Sequence, residues 1–381
     1  MLAAAFLAGE GRTQAGIASD LRLSQPAVSR LLSQARKKYL RQEVHFLKEH
    51  VTHDTMQRIL QRASRSDLGE LLNRLAKQSH QARGPVVRVF PSESLQVGPK
   101  DWENRLTSFG RAAAPYIKEL LLRATICGIS WGQTLGHVVA SLHGLAIPPP
   151  RTADPIEIVP LCGEPLGKAP TSLSSTNLAE SLERFLNGKA VSNLSLGMVP
   201  AFIPCFPEPE IEVIWKVIRL VKAHELIFGP RQPTQNGAQP LVEKANMILT
   251  SVGPAERPLG YGSGELFRTG GLELEQLRPL LLGDISGICI PKPRLKPEQT
   301  KIISNLNSRW TGITRPQLES CARRSATADP LQGVPGVCVV AIGRNKALFV
   351  CEAVKLGLVN HLIIDDDLGQ ELERIARKQL A

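Results

Sequence analysis

"ATICGISWGQTLGHVVASL", residues 124–142, runs from a β-branched stretch through a glycine-rich turn into an amphipathic helix. Within it, Gly128-Ile129-Ser130-Trp131-Gly132 fits the G-x-S-x-G pattern of a nucleophilic serine on a strand-to-helix turn. The same letters fit a site without catalysis, in which backbone N–H groups and a helix N-terminus hold an anion or a sugar hydroxyl. Either way the segment is one strand–loop–helix unit of an α/β domain.

That pattern repeats outward. From Val86 onward, "VVRVF", "ATICGI", "IEIVPLCG", "ELIFGP", "MILTSVG", "ISGICI", "GVCVVAIG" and "HLIID" are candidate strands alternating with helical segments. Alternation of this kind predicts a mainly parallel sheet covered by helices, with ligands beyond the carboxyl ends of the strands. Residues 128–134, Gly163, Gly253, Asp284, residues 343–346 and Asp365 are then expected at one rim. The hydrolase reading needs an acid and then a histidine after the serine, and His361 is the one histidine late enough. His361 falls inside or at the start of a strand, and no HGGG-type segment precedes Ser130, which weighs against hydrolysis. "GYGSG" at 260–264 lacks the dinucleotide-binding spacing and reads as a loop, and "GRNK" before residues 347–355 lacks Walker spacing, so Lys346 is either an anion contact or a surface lysine.

At 381 residues, with about 150 residues to a domain, the chain should hold two or three units. Its 43% hydrophobic content supports real cores, while 4% aromatics argues against stacking platforms for single-stranded nucleic acid. The net charge of +11 is uneven: residues 1–90 carry 15 Lys and Arg against 7 Asp and Glu, leaving a surplus of only 3 for the remaining 291. A basic head on a nearly neutral body suits a polyanion partner. Seven scattered cysteines without a C-x-x-C pair read as reduced core thiols of a cytosolic protein. No metal spacing stands out; the spacing of His50 and His53 would place them on one face if the segment is helical, but no further ligands lie nearby in sequence, which favours a surface reading. "MLAAAFLAG" lacks a basic flank and reads as no signal peptide, and no run nears the roughly 18 apolar residues of a membrane span.

In the head, residues 12–40, "RTQAGIASDLRLSQPAVSRLLSQARKKYL", give two short amphipathic helices, one with Ile17, Ala18 and Leu21 inward, the next with Val28, Leu31, Leu32 and Ala35. Between them Leu23 is expected to plug the angle and Ser24 to cap the second helix, with Pro26 in its first turn. The pair resembles a helix-turn-helix. Its second helix leaves Gln25, Pro26, Ser29, Arg30 and Ser33 for a major groove: Arg30 suits guanine, Gln25 adenine, and Ser29 a phosphate or base edge. Arg36 and Lys37, in "ARKKYLR", suit the phosphate backbone. Arg22 stands where many such motifs carry glycine, which allows a wider turn. Residues 41–84 are polar and helix-prone, with one face through Leu68, Leu71, Leu72 and Leu75, and read as a helical linker that can help pair subunits. The expected division is thus 1–40 for the DNA-binding head, 41–84 for the linker and 85–381 for the α/β body.

Taken together, "TQAGIASDLRLSQPAVSRLLSQAR", "GISWGQTL", "LLLGDISGICI" and "NKALFVCEAVKLGLVNHLIIDDDLGQEL" resemble, in order, the segments of the SorC family of bacterial sugar-responsive transcription regulators. The resemblance covers nearly the whole chain and is most specific in the last segment; residues 200–270 match poorly. It implies a phosphosugar-isomerase-like, Rossmann-like α/β body that senses a sugar or sugar phosphate, a cytoplasmic repressor or activator reading double-stranded operator DNA, and a dimer or tetramer without cofactor or metal. Carried over residue by residue, Gly128, Ser130, Gly132 and Thr134 supply the glycine loop, Asp284 binds hydroxyls, Lys346 reaches an anion or hydroxyl, and Asp365 closes the pocket. Trp131 either stacks on a sugar face or packs the loop. Two departures bear on the ligand: "GRNK" replaces the usual pair of glycines, and "VGPAERPLGYGSG" forms a divergent loop that can cover the pocket. The chain opens almost inside its first helix, which leaves open a start further upstream. The rival reading is a sugar-phosphate isomerase or serine hydrolase with a basic nucleic-acid-binding head, which would need a general base such as Asp284 or Asp365. A protein-interaction adaptor is the third.

Overall fold

The computed structural model describes residues 3, 4, 7, 12–38, 66–92, 101–145, 155–166, 171–189, 192, 194–229, 239–255, 274–326 and 333–380, without the side chains of residues 36–38, 66, 171, 274 and 275. His50, His53, most of the linker, residues 260–264 and the loop from Glu256 lie outside these. The chain divides into two compact units, Met1–Glu70 and Leu71–Ala381.

In the first unit, α1 (Gln14–Asp20) and α2 (Gln25–Lys38) form the helix-turn-helix. Thr13 opens α1, its Oγ1 accepting the Gly16 N–H at 3.2 Å. Ile17, Leu21, Val28 and Leu32 form one buried cluster, joined by Ala3, Ala4 and Leu7 of the apolar N-terminal stretch. The turn departs from expectation in two respects. Leu21 fills the angle, whereas Leu23 is 38% exposed. The turn is also not widened: Arg22 itself takes the left-handed conformation (φ 52°) that a glycine would hold without strain. Arg22 pairs with Asp67 at 2.9 Å, but as an exposed pair this contributes little. Replacing Arg22 with glycine should therefore stabilise the head, by about 1 kcal/mol. Hydrogen exchange at the bonded amides of Leu21 and Val28 would slow; an unchanged or faster rate would show that the turn carries no such strain.

α3 (Ser66–Gln78) buries Leu71, Leu72, Leu75 and Ala76, and Asn73 Oδ1 accepts the Gly84 N–H at 2.9 Å, fixing the approach to the first strand. The body then runs β1 (Val86–Phe90), α4 (Asp101–Leu121), β2 (Ile126–Ile129), α5 (Gln133–Leu142), β3 (Glu157–Pro160), α6 (Ser175–Asn187), α7 (Glu208–Ile218) and α8 (Lys222–Phe228). After β4 (Met247–Thr250) come β5 (Val252–Pro254), β6 (Leu281–Ile285), β7 (Ile288–Pro291), α9 (Pro297–Ser308) and α10 (Arg315–Ala326). β8 (Gly336–Ala341), α11 (Ala347–Lys355), β9 (His361–Asp365) and α12 (Asp366–Leu380) complete it.

Six strands form a parallel sheet in the order β1-β9-β8-β4-β2-β3. Helices α4, α5 and α6 cover one face, with Phe109, Ile117, Leu135, Val138 and Leu182 packed on Cys127, Ile129, Ile158, Leu249 and Val340. β2 leads outward to β3, while the chain leaving β4 moves to the other side, toward β8. The strand order therefore reverses between β2 and β4, where open α/β sheets place their ligands.

Two expected strands turn out otherwise. "ELIFGP" is helical: Lys222–Phe228 buries His224 and Ile227 at helical spacing and stops at Gly229. "ISGICI" is no parallel strand but part of an antiparallel hairpin. Ser286 and Gly287 both take positive φ (52° and 80°), as a tight primed turn between β6 and β7 requires, and β5 adds a third antiparallel strand. Asp284 consequently reaches the rim from this separate small sheet rather than from the end of a parallel strand.

Candidate functional site

On α2 the residues expected to face DNA, Gln25, Pro26, Ser29, Arg30 and Ser33, are all exposed, opposite buried Val28, Leu32 and Ala35. Arg30 Nε leans back on the Pro26 carbonyl at 3.4 Å, a weak contact that leaves the guanidinium outward. Arg36 and Lys37 lie on the last turn of α2, but their side chains are outside the described residues.

In the body, the rim at the carboxyl ends of the strands can be built contact by contact. β2 ends at Ile129, and Ser130 follows buried, its Oγ donating to Thr250 Oγ1 at 3.0 Å across the β2/β4 crevice. Ser286 Oγ, from the hairpin turn, donates to the same Thr250 oxygen at 2.8 Å, and Thr250 donates onward to the Ser251 carbonyl. Gly132, with φ 121°, begins α5 without any side-chain cap, so the first amides of that helix, including that of buried Thr134, form an uncapped positive helix end. Asp284 is buried opposite Gly253.

Lys346 ends a short 3-10 turn that starts at Gly343. Only 8% of the residue is exposed, and its ammonium makes no hydrogen bond or close ion pair with any described residue. Burial pushes its pKa down to about 8, against the opposing pull of Asp365 and Asp284. Asp365, fully buried at the end of β9, is saturated by protein donors. One oxygen accepts the amides of Gly343 (3.0 Å) and Leu368 (3.1 Å); the other accepts Ser92 Oγ and the Arg105 guanidinium, both at 2.9 Å. Arg105 also reaches Asp367, which in turn holds Arg344 at 3.0 Å. On the far side of Gly343, the Trp102 indole N–H points to Gln133 Oε1 at 3.4 Å, which returns the circuit to the start of α5.

The structure thus brings together Ser130, Gly132, Thr134, Asp284, Lys346 and Asp365. Gly128 stays inside β2, where a Cβ would come within 2.6 Å of the Leu161 side chain, so its place in the fold is one of packing. Trp131 packs the loop, edge-on to Trp310 at 5.5 Å. Sequence reasoning missed Thr250, Ser286, Ser92 and Arg105, whose roles depend on contacts made across the fold.

The serine-nucleophile reading finds no support in this geometry. His361 opens β9, three strand positions from β2, on the order of 14 Å away at roughly 4.8 Å per strand. Its Nδ1 is engaged with the Tyr116 hydroxyl at 2.9 Å, and burial, reinforced by Arg123, Arg88 and Arg83, brings its pKa down to about 4. No described histidine hydrogen-bonds Ser130. A separate cleft of about 280 Å3, lined by Ile288, Trp310, Ile313 and Arg315 among others, shares no residue with the rim. Among the described residues no helix is long and apolar enough to cross a membrane, and no cluster of His, Cys, Asp and Glu is arranged to hold a metal.

No family model matches the chain, and no curated protein matches it in sequence. Its fold is similar to that of solved structures. The full-length Sorbitol Operon Regulator SorC from Klebsiella pneumoniae superposes with a TM-score of 0.53 at 17% identity, covering 96% of this chain and 94% of that one. A domain of a possible sugar-binding transcriptional regulator from Arthrobacter aurescens TC1 gives 0.51 at 20% identity, covering 81% of this chain and 98% of its own. The probable sor operon regulator from Shigella flexneri gives 0.51 at 16%, with 80% and 98% covered. The last two likenesses show the fold over about four-fifths of the chain, and the first shows it over nearly the whole length.

Proposed function

We propose that this chain is a cytoplasmic transcription regulator of the SorC type, reading operator DNA through α2 and controlled by a sugar or sugar phosphate bound at the rim of the parallel sheet. The observation that carries the reading is the pairing of a helix-turn-helix whose outward face is polar apart from Pro26 with a rim holding a buried cation, Lys346, that makes no hydrogen bond or close ion pair with any described residue. An ammonium and the uncapped start of α5 suit an anionic or hydroxyl-rich ligand, and Asp284 suits sugar hydroxyls. Asp365 has its lone pairs committed to the protein, and its role is to position the loop that carries Lys346. Among the described residues the rim holds no nucleophile–histidine pair, which favours sensing over turnover. Effector binding would act through different affinities for two states of the assembled regulator. Two copies of the head are needed to read a two-fold operator.

The test is a gel-shift titration with DNA from upstream of the gene, with and without a panel of sugars and sugar phosphates. One compound altering a specific shift supports the reading; no specific shift, together with turnover of a sugar phosphate, would replace it with the enzyme. Arg30→Ala should cost about 1–3 kcal/mol of operator affinity and relax base choice at one position. Unaltered specificity in a competition assay would remove Arg30 from the groove.

A further inference from the structure

The helix α7 carries two apolar faces. Its inner one, with Trp215 and Ile218, packs beside Val159 of the edge strand β3, with Leu196 and Val199 in the same cluster. Its outer one, Val213, Val217 and then Leu220 just past its end, recurs at helical spacing and is 56%, 59% and 83% exposed. Packing on the sheet needs only the inner face, and valine is a poor residue for a solvated helix, so local structure gives no reason for the outer stripe. Phe206, just before α7, and Leu226, on α8, are exposed as well.

The flank of that stripe is polarised along the helix. Glu208 and Glu212 stand in its first half, Lys216 and Arg219 in or just after its second, all on the same side of Val213 and Val217 and all exposed. Such an arrangement complements itself when turned end for end. A copy related by a two-fold axis normal to the helix pair lays valine on valine and brings Glu212 of each against Arg219 of the other. Antiparallel helix dipoles favour the same arrangement.

We infer that the outer face of α7 is the surface through which two copies of this chain pair, antiparallel and about a two-fold axis. The same patch serves both partners, as an isologous contact requires. A single helix pair falls short of the roughly 800 Å2 per partner of a stable interface, so the contact must draw in neighbouring residues, for which exposed Phe206, two residues before α7, is the nearest apolar candidate in sequence. That the occupant is a second copy, rather than another protein, follows from the charge pattern and rests on the regulator reading, in which the DNA head must be doubled.

Light scattering coupled to size-exclusion chromatography over a range of concentrations tests this on the full chain. The wild type should elute at twice the chain mass, and Val217→Asp should weaken association by about 100-fold or more, with the two proteins melting together at dilutions where both are monomeric. Glu212→Arg and Arg219→Glu should each weaken the dimer, and the double exchange should restore it. A monomeric wild type would overturn the inference, as would a Val217→Asp dimer of undiminished strength. So would a Val217→Asp chain that melts below the wild type at such dilutions, because the face would then be covered by the chain itself. Operator binding is measured in parallel. Dissociation by Val217→Asp in a protein that binds no DNA would uphold the surface and overturn the regulator reading instead.

Discussion

Replacing Asp365 with alanine is expected to cost the body about 3–5 kcal/mol, the penalty typical of breaking a buried charge pair and leaving its partner uncompensated. Four donors converge on this one carboxylate: two backbone amides, the Ser92 hydroxyl and the Arg105 guanidinium. Without it the Gly343 and Leu368 amides lose their acceptor, and Arg105 retains as a charged partner only half-exposed Asp367, beside the neutral oxygens of Ser92. Urea denaturation reads the effect as a fall in midpoint at constant slope. Ser92→Ala, which removes one donor and leaves the charge pair intact, should cost only about 1 kcal/mol. A loss for Asp365→Ala no larger than that would show the network to be incidental to stability.

The second large effect has the opposite sign. Lys346→Met should stabilise the ligand-free protein, by up to about 3 kcal/mol, while abolishing its response to an anionic effector. The cause is the buried ammonium. With its folded-state pKa near 8, below the ordinary 10.5, the folded chain holds this proton less tightly than the unfolded chain does. The penalty is therefore fully present below pH 8 and disappears as pH rises from about 8 through 10.5. Wild-type stability should gain on Lys346→Met over that interval, so the difference between their melting curves should close by pH 10.5. Affinity of the wild type for an anionic effector should decline as pH climbs past 8, since the ammonium is then lost. A variant no more stable than wild type at pH 7 would mean that the ammonium is solvated or paired where it sits. A normal effector response would remove Lys346 from the pocket.

Much of this could be read from the chain because it depends on local pattern. The two helices of the head follow from apolar spacing. β2, β3, β4, β8 and β9 follow from short β-branched runs, several of them ending in glycine or aspartate. The errors have physical causes too. "ELIFGP" offers only three apolar positions before its Gly-Pro, Leu226, Ile227 and Phe228, too few to separate strand from helix by period, and the deciding feature was burial of His224 and Ile227 on one side. In "LLLGDISGICI" the Ser-Gly pair was the available sign of a primed hairpin turn, outweighed by an apolar content typical of parallel strands. The support beneath the rim was invisible: Arg105 and Asp365 meet across 260 residues, and neither has a neighbour in sequence that announces the other. Arg22 shows the converse, a turn whose geometry held although its residue type argued against it.

The small antiparallel sheet has a consequence for how such a protein can change over generations. β5, β6 and β7 share no ladder with the six-stranded sheet, yet they deliver Asp284 and Ser286 to the rim. On the effector reading, recognition is split between two pieces of chain, Lys346 at the end of the parallel sheet and Asp284 on the small one. Substitutions at Asp284 that leave the packing of the small sheet on Phe349 intact would then alter the hydroxyl pattern a lineage recognises without touching the Asp365 clamp that holds the Lys346 loop.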